Sequence, residues 1–129
     1  MAEKRKLKEV ESRRNRLLLL SIIVILVLTL VPGNGNVSVP YLDKVVHFFL
    51  FLALSVNVGY KYLNAKRLTD AMILAIFFGL ITEVGQQFIP GRDMDLYDGI
   101  ADTIGIIVGY YFYRKFRFKL DKLIVMLGA

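Results

Sequence analysis

Cysteine is absent from the 129 residues, histidine occurs once, and 11 acidic side chains face 17 basic ones. Without cysteine the chain has no disulfide, no thiolate metal site and no thiol nucleophile. Ser21, Ser38 and Ser55 lack the Gly-x-Ser-x-Gly surroundings of an activated serine. No glycine-rich loop of the phosphate-cradling kind occurs. The lone His47 sits in no His-x-x-Glu-His arrangement, so the spacing calls for no metal and no cofactor. Internal repeats and low-complexity tracts are missing as well.

What is present is apolar. Hydrophobic residues make up 56% of the chain, and the mean hydropathy is +0.53. They fall in four blocks: Leu17 to Val31, Val45 to about Leu63, Ala71 to Ile89, and a fourth opened by Asp98-Gly99 and reaching Tyr113. The first is short against the ~20 residues that usually span a bilayer. Arg13, Arg14 and Arg16 can snorkel to make up the difference. A basic lead before an apolar run also marks a signal peptide, but Val31-Pro-Gly-Asn-Gly-Asn36 offers no small-x-small cleavage pattern, which favours an uncleaved helix. The Pro32–Asn36 stretch is turn chemistry, and Pro90-Gly91 closes the third block. Asp43 and Asp70 stand ahead of blocks two and three, where acids favour a helix N-terminus.

The net charge of +6 flanks these blocks, which argues for membrane orientation over a nucleic-acid partner. Residues 1–16, the 61–70 connection and the tail from Arg114 hold 15 of the 17 basic residues. Lys44 and Arg92 are left for the opposite side. The expected fold is therefore an all-α bundle of four transmembrane helices with both termini cytoplasmic. It divides into a basic segment 1–16, a membrane domain 17–114, and a tail 115–129 that is interfacial or disordered.

That topology gathers the polar residues at the outer face. Asp43 and His47 start the second helix, Glu83, Gln86 and Gln87 end the third, Arg92 and Asp95 lie between, and Asp98 and Asp102 start the fourth. Ionisable groups at membrane depth are costly and mark functional sites by default. Asp43 and His47, four apart, share a helix face, as do Ala75, Gly79, Glu83 and Gln86. Asp98, Asp102, Gly105 and Gly109 form another stripe, whose glycines let a neighbouring helix approach closely. That glycine face also offers a route to an oligomer. His47 and Glu83 are the candidates for proton chemistry, with structural hydrogen bonding as the plainer alternative. Asp43, Gln86, Arg92, Asp95, Asp98 and Asp102 are candidate ligand contacts. Arg92 is placed either to bind an anion in a bidentate way or to balance Asp95 and Asp98.

Asp43-Lys-Val-Val-His47-Phe, Glu83-x-x-Gln86, Pro90-Gly91-Arg92, Asp95, Asp98 and Asp102-Thr103-x-Gly105 together resemble the VanZ-like family of small bacterial membrane proteins, over roughly residues 15–114. Asp102 stands where that family's pattern more often carries Asn. The resemblance implies a multi-pass protein of the bacterial cytoplasmic membrane and an association with low-level teicoplanin resistance. It makes membrane lipid, or an anionic lipid-linked or cell-wall ligand, the expected partner. Binding, acid/base or metal-assisted headgroup chemistry, and a purely structural role are the three functional readings.

Overall fold

The computed structural model describes residues 1–31, 42–62 and 65–126, all in helices or short connections. Four helices are described: α1 (Ala2–Leu30), α2 (Leu42–Lys61), α3 (Ala65–Gln86) and α4 (Leu96–Met126). The expected turn at Pro32–Asn36 lies outside the described residues. α1 runs unbroken through the basic segment 1–16 into the first apolar block. Val31 ends α1 in extended geometry (φ −70°, ψ 136°), as expected of the residue before Pro32. The tail is helical as far as Met126, with a break at Phe116 (φ −108°, ψ 17°), in place of a disordered segment.

Leu42–Lys61 and Lys66–Gln86 are long and apolar enough to cross a membrane. The surface agrees with that reading. Phe49, Leu74, Phe77, Ile81, Ile104, Ile107 and Tyr111 are exposed, whereas Thr29, His47, Ser55, Thr82, Glu83, Gln86, Asp98 and Asp102 are buried. A soluble domain has the opposite bias, since unpaired polar groups are costly inside and apolar groups gain from burial.

Consecutive helices run antiparallel, and α2 and α4 share the most extensive contact. A Cβ on Gly109 would lie 2.7 Å from the Leu52 carbonyl oxygen, and one on Gly105 would lie 3.1 Å from the Leu52 nitrogen and collide with the Phe48 carbonyl. Only glycine lets the two backbones come so close. The Gly105/Gly109 face, on which an oligomer was expected, meets α2 of the same chain. Ser55 Oγ donates to the Ile106 carbonyl at 2.7 Å across the same seam. Phe51, Leu54, Val58, Met72, Ala75, Ile106 and Ile25 fill the middle of the bundle. Asn57 fastens α2 to α1 by donating to the Leu17 carbonyl at 3.3 Å and to Ser21 Oγ.

Candidate functional site

The antiparallel order brings the end of α1, the start of α2, the end of α3 and the start of α4 to one end of the bundle. The polar residues of three separated stretches meet there. His47 Nδ1 is 2.7 Å from Asp102 Oδ1 and 3.5 Å from Glu83 Oε1, while Nε2 faces Asp98 Oδ2 at 3.7 Å. All four side chains are buried. One imidazole thus stands among three carboxylates contributed by α3 and α4.

A second layer lies toward the surface. Lys44 Nζ donates to Asp95 Oδ2 at 2.8 Å, Asp98 Oδ1 at 3.1 Å and Asp43 Oδ2 at 3.2 Å. Asp98 joins the layers, touching Lys44 with one oxygen and facing His47 with the other. Asp95 is the closing residue. Its Oδ1 accepts from the Tyr97 N–H at 2.9 Å, capping α4, and its own N–H donates to Glu83 Oε2 at 3.3 Å. Gly91, at φ 76°, makes the turn that returns the chain from α3 to this position. The Lys44 hydrogen bond, then the Tyr97 N–H, hold the Asp95 carboxyl below its ordinary range.

The eight expected site residues all lie at this end of the bundle, six of them in the cluster. His47, Glu83, Asp98 and Asp102 form the buried centre, and Asp43 and Asp95 belong to the outer layer. Gln86 does not face the cluster: its Nε2 donates to the Thr29 carbonyl of α1 at 3.0 Å. Arg92 departs most from expectation. Its Nε donates to the Val31 carbonyl at 2.9 Å and its Nη2 to the Leu28 carbonyl at 3.1 Å, so it caps α1 instead of pairing with Asp95 or Asp98. The last carbonyls of a helix lack internal partners, and a guanidinium suits that negative dipole end.

The cation inside the cluster is Lys44, a residue not singled out from the sequence. Its signal was present: it is one of two basic residues left on this side, beside Asp43 and three before His47. The carboxylates outnumber the cations, and Glu83 Oε1 and Asp102 Oδ2 are buried without a hydrogen-bond partner. Such a centre can exchange protons, hold a cation, or receive hydrogen-bond donors.

Helices clothed in apolar side chains around a buried acid–imidazole cluster define a small helical membrane protein with an ionisable core. The chain belongs to the VanZ/LLP1 family, whose profile matches residues 4–119. It is also 38% identical over 72 residues to an uncharacterized protein of Schizosaccharomyces pombe, a match covering 54% of this chain and 44% of that protein. The chain thus spans less than half the length of that curated relative. No solved structure matches it.

Proposed function

We propose that the chain is a four-span protein of the bacterial cytoplasmic membrane, with both termini cytoplasmic and the His47–Glu83–Asp98–Asp102 cluster at the outer face. There it binds or modifies a lipid-linked or cell-wall ligand and lowers sensitivity to a teicoplanin-type glycopeptide. The carrying observation is the meeting of His47, Glu83 and Asp102 from three helices in one buried group. A bundle needing only cohesion has no use for groups this costly to bury. The distribution of basic residues supports the orientation. Lys44 takes the cationic place first given to Arg92, and meets an anionic headgroup at the rim.

A second reading is an enzyme that moves a proton on a lipid headgroup, with His47 and Glu83 as the exchanging groups. The likeness to a yeast protein favours a ligand that bacterial and eukaryotic membranes share over a wall polymer.

Glu83→Gln tests both readings, because it keeps the shape and removes the ionisable group. Expressed at wild-type level in the membrane, it is expected to lose the glycopeptide phenotype. Full function in both Glu83→Gln and His47→Ala, stably expressed, would rule out proton chemistry and leave binding alone. Loss of phenotype in step with loss of folded protein would show that the cluster only holds the bundle together.

A further inference from the structure

The inner and outer halves of the cluster differ in one respect. Around Asp43, Asp95 and Asp98 the positive charge is built in, with Lys44 Nζ within 3.2 Å of an oxygen from each. The inner acids, Glu83 and Asp102, pair with His47, and each still has a buried oxygen without a partner, Oε1 and Oδ2 respectively. Glu83 is 2% exposed and Asp102 1%, so both are shut off from bulk solvent. A buried acceptor left unmade costs ~1–3 kcal/mol, and more when charged.

We propose that His47, Glu83 and Asp102 form a binding site for a divalent first-row transition-metal cation. One ligand atom from each of the three lies within 4.8 Å of the others. A four-coordinate ion with bonds of about 2.0–2.2 Å holds its ligand atoms roughly 3.3–3.6 Å apart. The His47 Nδ1 to Glu83 Oε1 separation is already 3.5 Å, and the 2.7 Å to Asp102 Oδ1 has only to open slightly. Glu83 Oε1, buried without a hydrogen-bond partner, becomes a ligand in that position, so the ion relieves its deficit.

The surroundings are those of a supported ligand set. With Nδ1 turned to the ion, His47 Nε2 has Asp98 Oδ2 3.7 Å away, just outside hydrogen-bond range and near enough to close into the carboxylate–histidine–metal order. Asp98 is held in turn by Lys44, and Glu83 by the Asp95 N–H at its other oxygen, Oε2. One nitrogen and two carboxylates, with no sulfur, suit Zn²⁺, Mn²⁺, Fe²⁺ or Co²⁺ better than Cu⁺. Binding displaces the proton between His47 and Asp102, so metal uptake releases protons. Where the envelope reading above also holds, the ion gives an acid-rich centre the positive charge with which to meet a phosphate.

The test uses the full chain, purified in detergent without a histidine tag and stripped with a chelator, and titrated with Co²⁺ and Zn²⁺. Co²⁺ d–d bands in the visible report the coordination geometry, and because His47 is the chain's one histidine their loss in His47→Ala assigns them to this site. The expected result is one ion per chain with proton release. Asp102→Asn and His47→Ala should weaken binding at least about tenfold, with Asp70→Asn, at the other end of α3, unchanged. Absence of saturable one-to-one binding in wild-type protein of native helicity overturns the proposal. So does binding that persists at full strength in Asp102→Asn, the shape-preserving variant that decides if His47→Ala fails to fold. One-to-one binding beside full function in both Glu83→Gln and His47→Ala would keep the ion site and remove proton chemistry from the envelope reading, so the two fail separately.

Discussion

His47 Nδ1 lies 2.7 Å from Asp102 Oδ1 across the α2–α4 seam, both side chains buried, and this is the shortest of the three approaches His47 makes to the acids around it. Asp102→Ala leaves the imidazole without its nearest acceptor and is expected to cost ~1–3 kcal/mol. Asp43→Ala, at an exposed surface pair, should change stability by less than about 1 kcal/mol. Denaturant titration in mixed micelles checks the order. The His47→Ala/Asp102→Ala cycle should show a coupling of ~0.5–3 kcal/mol, and additive losses would refute the pairing.

Gly105→Ala should destabilise by ~1–3 kcal/mol, because the new methyl group meets the Phe48 carbonyl and the Leu52 nitrogen, which are backbone and cannot rotate away. Gly85→Ala is the control, since its nearest neighbour is the flexible Leu30 side chain at 3.5 Å. Thermal unfolding of both variants in the same detergent reads the difference. Equal melting temperatures would mean the seam is looser than described.

Orientation is open to cysteine labelling against a background free of native thiols. A cysteine at position 34 should react with an impermeant maleimide in intact cells, and one at Lys66 only after lysis. The reverse pattern would move the cluster to the cytoplasmic face.

Asp95 gives a pH dependence of known sign. Its folded pKa is depressed, chiefly by Lys44, so its contribution is present above the unfolded value of about 3.9 and is lost as pH falls through the lower folded value. Lys44→Met should therefore flatten the stability profile in the acid range below about pH 4. A profile as steep as wild type would show that Lys44 and Asp95 are not coupled in solution.

Helix number and the meeting of His47, Glu83, Asp98 and Asp102 were legible because hydrophobic blocks alternate with charge and because antiparallel order fixes which ends meet. The i,i+4 spacing of Asp98 and Asp102, continued by Gly105 and Gly109, announced both the inward face and the close approach. The partners of Arg92 and Gln86 were not legible, because both donate to backbone carbonyls at the end of α1 and sequence carries no mark of which carbonyls a fold leaves unpaired. Lys44 was overlooked as a lone rim lysine, because nothing local foretells that Asp95, 51 residues away, folds back onto it. The helix past Arg114 was not legible, because the mixed charge of the tail suits an interfacial or a disordered segment equally well, and the chain is helical there as far as Met126.

Because Gly105 and Gly109 meet α2 through main-chain atoms, the depth at which His47 faces Asp102 is set by the polypeptide itself and not by the groups that face each other. The apparatus holding the seam in register sits below the polar residues and shares none of their side chains. Chemistry at the upper end can therefore drift, acid to amide or imidazole to another ring, without the helices slipping past one another. One scaffold is in this way free to diversify its specificity while its shape stays constant.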